Sequence, residues 1–203
     1  MKKSVLSILS ALLMTCGGIA AERVALAPRT NLLLPLLNLG VEVPMGGHLS
    51  VAGDVYCPWI GYDKANANCI QAALADLQLR WWLNPLWIDG VDGNTLTGSS
   101  IAVGAYAGLY DLERNYMGIQ GEIYGFYLDY GYSFFLARNW RLTLSLGAGL
   151  ANIPYRNYTV YSEGSRLIRD VSALDNVKQW IGPLHAGVTL SLPVFMGGGR
   201  DEE

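Results

Sequence analysis

The chain has 203 residues, 51% of them hydrophobic, 11% aromatic and only 15% charged, with 24 Gly and a formal net charge of −3. That length suits one domain, and so few charges beside so many Gly and aromatic residues is unlike a soluble surface. No basic patch is available to neutralise phosphates, which excludes a nucleic-acid partner.

The N-terminus reads as a secretory signal. Lys2 and Lys3 precede an apolar core from Val5 to Met14, and Gly18-Ile19-Ala20 or Ile19-Ala20-Ala21 supplies a small-residue cleavage site. Residues 1–20 are assigned to this signal, cut after Ala20 or Ala21, and residues 21–196 to the fold. Leu13-Met14-Thr15-Cys16 is a loose lipoprotein box, but Thr15 stands where Gly, Ala or Ser is usual, which favours plain cleavage. Beyond the signal, no apolar run reaches the roughly 18 residues of a helical span. Export leaves Cys57 and Cys69. Two cysteines close in sequence, in an oxidising compartment, read as a disulfide. Closing that loop would contribute roughly 3 kcal/mol. With no neighbouring His, a metal site is not expected.

Strands follow in order. The first runs from Val24 through Arg29-Thr30-Asn31-Leu32-Leu33-Leu34, and the second over Leu39-Gly40-Val41-Glu42-Val43. Pro44-Met45-Gly46-Gly47-His48 is a turn by its Pro and Gly. The third strand, Leu49 to Tyr56, sets Val51 and Val55 against Ser50, Asp54 and Tyr56, and a loop from Cys57 to Ala72 follows. The fourth, Ala75 to Leu83, alternates Leu77, Leu79 and Trp81 with Asp76, Gln78 and Arg80. Asn84 to Gly98 is a polar connection to the fifth strand, Ser100 to Tyr110. Asp111 to Gln120 reads as a loop, Asn152 to Val177 as solvated loop or strand extension, and Lys178 to Phe195 as the last strand. Residues 197–203 are a frayed tail.

The clearest signal is the hairpin Ile123–Ala151, which supplies strands six and seven. Tyr124, Phe126, Leu128, Tyr130, Tyr132 and Phe134 share one face of the first arm; Leu142, Leu144, Leu146, Ala148 and Leu150 share one face of the second. Period-two alternation means strands. Each arm reaches the roughly 9 to 11 residues that a tilted strand needs to cross a bilayer. The opposite faces carry Gly, Ser and Thr with one Asp and one Arg, which suits a narrow packed interior, whereas Leu with Tyr and Phe suits lipid flanked by aromatic girdles. The expected fold is all-β: an eight-stranded antiparallel up-and-down transmembrane β-barrel, the smallest common outer-membrane size.

Assigning the polar parity to the interior gathers Arg29, Arg80 and Arg141 there against Glu42, Asp54, Asp76 and Asp129. Buried charges need partners, and both signs are present, so a salt-bridge network filling the barrel is expected. An eight-stranded ring is only wide enough for its own side chains, which disfavours an open pore. Catalytic signals are weak. Of the two histidines, His48 lies in a turn and His185 in a strand, neither with a Ser and a carboxylate at recognisable spacing. Gly147-Ala148-Gly149 sits inside a strand, where small residues permit close packing. Trp81, Trp82 and Trp87 read as interfacial anchors. In the last strand His185, Gly187, Leu190, Leu192 and Phe195 resemble the C-terminal signal by which barrels are handed to their insertion machinery.

Arg29-Thr30-Asn31-Leu32-Leu33, Asn38-Leu39-Gly40-Val41-Glu42-Val43-Pro44 and Tyr56-Cys57-Pro58-Trp59 then carry a family resemblance, continued by Leu79-Arg80-Trp81-Trp82, Tyr130-Gly131-Tyr132-Ser133, Ser145-Leu146-Gly147-Ala148-Gly149 and Trp180-Ile181-Gly182-Pro183. Together they resemble a family of small outer-membrane barrels from Bacteroidales carrying a domain of unknown function (3575 series), of the OmpA-like eight-stranded type. A Thr-Lys pair usually follows the Gly-Pro in that family; here Leu184-His185 stands instead. The resemblance implies an outer-membrane location, in some members near fimbrial genes, and no activity, catalytic residue or cofactor. The expected protein is a monomeric, non-enzymatic barrel with a structural or surface-interaction role, whose partners are outer-membrane lipid, the insertion machinery and fimbrial or other surface proteins. The alternatives are a barrel enzyme acting on lipid or peptide, with His185 as its main candidate residue, and a soluble β-barrel binding a small ligand.

Overall fold

The computed structural model describes residues 25–33, 37–57, 59–63, 68–84, 96–137, 140–163, 166–172 and 175–195. The signal segment, the tail and most of the Asn84–Gly98 connection lie outside these residues. The elements in chain order are β1 (Ala25–Asn31), β2 (Leu37–Gly46), β3 (Leu49–Cys57), β4 (Trp59–Asp63), β5 (Asn68–Trp82), β6 (Gly98–Arg114), β7 (Met117–Ala137), β8 (Trp140–Glu163), β9 (Arg166–Val171), β10 (Asn176–Ser191) and β11 (Val194–Phe195).

All pairings are antiparallel, neighbours in sequence pair with one another, and β10 pairs with both β8 and β1, which closes a ring of eight strands. The short elements are continuations of ring strands. β4 follows β3 in the same register against β5, since Tyr56 opposes Leu74 and Trp59 opposes Gln71. Pro58, with no N–H to give, stands between them. β9 and β10 follow each other down β8, and β11 continues β10 against β1.

The stagger of the ring can be counted. The row perpendicular to the strands from Ile181 runs through Leu150, Phe126, Ala105, Leu77, Gly53 and Val41 to Pro28, which returns to β10 at Leu192. Leu192 is eleven residues beyond Ile181, and one of these is the bulge between Pro183 and His185, leaving a shear of ten. Eight strands with that shear tilt by about 40° from the axis.

Alternation then sorts the side chains. Interior positions in the lower half of the ring, the half carrying the Gly46–Gly47 turn, are buried and polar: Arg29, Glu42, Ser50, Asp54, Asp76, Gln78, Arg80, Ser100, Asp129, Ser133, Arg141 and Thr143. Trp82, Leu96 and Ala27 cluster in the same half. Exterior positions are apolar and open, with Leu39, Leu77, Val103, Phe126, Leu128, Leu146 and Leu150 all more than half exposed. Hydrophobic residues outside and charges inside is the reverse of a soluble barrel.

Four expectations are corrected. Asp111–Gln120 is not a loop: β6 and β7 run to Arg114 and Met117 and join through Asn115-Tyr116, both at positive φ (52° and 66°), the backbone of a two-residue type I′ turn. The Cys57–Ala72 loop is likewise mostly strand, because β5 starts at Asn68 and pairs with β6 from Cys69. Cys57 and Cys69 are free thiols. Both lie on the exterior parity, but Cys57 falls opposite Ala73 in the β3–β5 register, four residues along β5 from Cys69. Strand spacing puts them roughly 14 Å apart, twice the reach of a disulfide. Finally, Trp82 is not an interfacial anchor. It is 1% exposed inside the ring and donates from Nε1 to Ser50 Oγ at 2.9 Å, while Trp81, one residue away, points outward and stacks on His48.

Candidate functional site

Two polar assemblies distinguish the molecule. The first fills the lower ring. Arg29 binds the Asp54 carboxylate through both Nε and Nη2 and reaches Glu42 at 3.4 Å. Glu42 also lies 3.6 Å from Arg80 and accepts from Ser50 Oγ at 2.5 Å. Arg80 donates to Gln78 Oε1 (2.8 Å), and Gln78 Nε2 donates to Asp76 Oδ2 (2.8 Å) and to the Tyr127 hydroxyl (2.7 Å). The Tyr127 hydroxyl donates to the same Asp76 oxygen at 2.6 Å. His185 Nδ1 donates to Asp129 Oδ1 at 3.0 Å and its ring stacks on Tyr127, centroids 5.0 Å apart. Arg141 lies near the lower rim, donating to Trp140 O at 3.2 Å with its guanidinium 4.4 Å over the Phe135 ring.

Glycines make room for this packing. A methyl group at Gly40 would overlap the Asp54 carboxylate, and one at Gly104 would overlap the Tyr127 ring. Arg29, Glu42, Asp54, Arg80 and Asp76 thus join through ion pairs or through Gln78, and Asp129 connects to Asp76 through His185 and Tyr127. Gln78 was visible on the polar parity of its strand. Tyr127 and His185 were missed as members, because a tyrosine on an aromatic-rich strand and a histidine in an insertion-signal pattern carry no mark of interior pairing. Of that pattern, His185 and Gly187 face the interior, while Leu190 and Leu192 are half-buried; the Phe195 side chain lies outside the described residues.

The second assembly was not foreseen. Above the ring β5 to β9 continue as paired hairpins, and on their exterior parity Cys69, Glu113, Gly118, Tyr158 and Val171 form one cross-strand row. Tyr158 lies across Gly118, where any Cβ would meet its ring, and its hydroxyl donates to Asp111 (2.5 Å) and Glu113 (3.1 Å). Arg169 sits 4.4 Å over the same ring and donates to Asp111 (2.8 Å) and Glu113 (3.2 Å). Burial, then the bond to Asp111, hold the Tyr158 phenol far above its usual range, so it stays a donor. Burial also pushes the Cys69 thiol up, with the Asp111 charge adding to it. Sequence reading missed this cluster because its strands had been read as loops.

The other parity of the hairpins forms a concave face. Ile70, Leu112 and Ile119 sit side by side in one row, with Arg114, Met117 and Asp170 in the next, around a cavity of about 900 Å³. It is an apolar cup rimmed by charges, held by hairpins that the Tyr158–Arg169 cluster ties together. Among the described residues no group of three or more His, Cys, Asp or Glu is placed to hold a metal.

Comparison with curated proteins and with solved structures gave no match. A family model does match, over residues 6–193, nearly the whole chain. The protein therefore belongs to the DUF3575 family, described as proteins of unknown function.

Proposed function

We propose that this protein is a non-enzymatic outer-membrane β-barrel, exported by a cleaved signal, whose extended hairpins meet a surface partner in a structural or adhesive role. One observation carries the membrane reading. Going up the exterior parity, the first polar residue is Gln71 on β5, Asp111 on β6, Glu122 on β7, Asn152 on β8 and Gln179 on β10. Relative to the perpendicular rows this boundary steps down four residues over four strands. A shear of ten over eight strands requires a drop of about 1.25 residues per strand for a level line. The boundary is therefore level, as the surface of a lipid layer is.

Below it the apolar belt has the right height. Tyr124 and Phe134 are ten residues apart on β7, about 25 Å along the axis at that tilt, which is the height of an outer-membrane apolar band. The cup above the belt is the surface offered to a partner, with fimbrial or other envelope proteins as the class suggested by the family resemblance. Fractionation with unboiled and boiled gels tests the membrane reading. A heat-modifiable band in the outer-membrane fraction is expected, and recovery in the soluble periplasm with no shift would overturn the reading.

A further inference from the structure

The exterior of the ring is not uniform. Its positions carry mostly large apolar side chains, but across β5, β6 and β7 a cavity of about 460 Å³ interrupts them. In one cross-strand row Ala75 and Ala107 stand beside Tyr124, and in the row below Ala105 stands between Leu77 and Phe126. The alanines make the floor, and Leu77 and Phe126, both more than half exposed, project past it as walls. The volume is that of a small-ligand pocket rather than of a packing gap. The side chains facing it are apolar except for the Tyr124 hydroxyl.

The tilt decides what stands over this cavity. The rows perpendicular to the strands descend from β10 round to β1, so a line rising parallel to the axis crosses from β5 towards β7. At a tilt of about 40°, rising four residues, about 13 Å of strand, shifts the line by roughly two strands. Four residues above Leu77 is Ala73, whose row runs through Leu109 to Glu122 on β7. Glu122 therefore stands directly above the cavity, at the first polar position of its strand. It is exposed, and its carboxylate has neither an ion pair nor a hydrogen bond among the described residues. Its charged neighbours are already engaged: Asp111 by Tyr158 and Arg169, and Arg156 by Asp175. Between cavity and carboxylate lies the Tyr124 hydroxyl. It accepts from Asn152 Nδ2, which leaves its own hydrogen to donate elsewhere.

From below upward the wall thus offers an apolar cavity, a hydroxyl donor and an unpaired carboxylate. That is the complement, in order, of an acyl chain, ester or phosphate oxygens, and an ammonium group. Resting on the membrane reading, we infer that the cavity is a binding site for one phospholipid with an ammonium headgroup. An acyl chain lies over Ala75, Ala105 and Ala107, Tyr124 donates to an ester or phosphate oxygen, and Glu122 pairs with the ammonium. To test this, the protein is inserted into vesicles of equal parts phosphatidylethanolamine and phosphatidylglycerol, extracted in mild detergent and weighed intact by native mass spectrometry. One retained phosphatidylethanolamine per barrel is expected, enriched roughly fivefold over phosphatidylglycerol, the scale of one exposed ion pair. Glu122→Gln should abolish the enrichment. Ala107→Leu, which fills the cavity, should abolish retention while heat-modifiable mobility persists. Equal retention of the two lipids, an unchanged pattern in either variant, or a lipid-free dimer of barrels would overturn the site while leaving the membrane reading intact. Failure to insert into the vesicles would overturn both.

Discussion

The pairing of Arg29 with Asp54 allows a test in which adding a second mutation restores what the first removes. Arg29→Met takes away every hydrogen bond shown to the Asp54 carboxylate, whose side chain is only 9% exposed. Glu42 is less affected, because Arg80 at 3.6 Å and Ser50 at 2.5 Å remain. One carboxylate is therefore orphaned rather than two, and removing one partner of a buried ion pair costs about 3–5 kcal/mol. The lower end, about 3 kcal/mol, is expected here. Arg29→Met with Asp54→Leu removes both charges and fills the space above Gly40, so it should return to within about 1 kcal/mol of the parent, as apolar replacement of buried pairs usually does. Urea unfolding in detergent micelles, read as the fraction migrating folded on unboiled gels, measures both. A loss below about 1 kcal/mol for Arg29→Met, or a double variant weaker than the single, would refute the network as a set of mutually satisfied charges.

Three further outcomes follow from other parts of the fold. Leu128→Arg, 63% exposed at mid-belt, should lose about 2–4 kcal/mol in vesicles, whereas Met117→Arg at the hairpin tip should be near neutral; equal effects would count against a lipid belt. Gly118→Ala should displace the Tyr158 side chain and loosen the upper hairpins, seen as faster proteolytic nicking between β8 and β9 while the barrel keeps its heat-modifiable mobility; unchanged nicking would show that the hairpins do not depend on Tyr158 lying over Gly118. In the folded protein a water-soluble maleimide should label Cys57 but spare Cys69, which is buried and whose thiol pKa is raised. Both should label after unfolding without reductant, and failure of either to label then would restore the disulfide.

The ring was legible because its sequence satisfies two patterns at once. Tyr124 to Phe134 and Leu142 to Leu150 alternate strictly, and the opposite parity holds charges that only an enclosed interior can pair. His185 shares the polar parity of Gly187, Thr189 and Ser191, as simple alternation places it, but above it the count fails: the bulge between Pro183 and His185 resets the parity of β10, so Pro183 and Ile181 face outward although they too are odd-numbered. No count along the sequence reveals such a reset. Trp82 was misread for the opposite reason: composition suggested a girdle, where alternation alone already placed it with Asp76, Gln78 and Arg80.

The missed hairpins show how the surroundings disguise a strand. β6 carries its exterior parity without interruption from Ile101 through Leu109 to Asp111 and Glu113, in one register with β7 throughout. The backbone does not change; only the side chains do, from apolar to charged, as the exterior passes the level line. A reader who equates apolar alternation with strand stops at Tyr110, where the belt stops, and takes the rest for loop. The same switch occurs at Glu122 on β7 and Asn152 on β8, so the three apparent loop boundaries mark one plane. What the sequence displayed there was a change of side-chain polarity along continuous strands, which the membrane reading takes for a change of solvent. The features that hold those strands above the plane, Tyr158 lying over Gly118 and Arg169 bridging to Asp111 and Glu113, depend on pairings between residues as far as 58 positions apart, which no local pattern encodes.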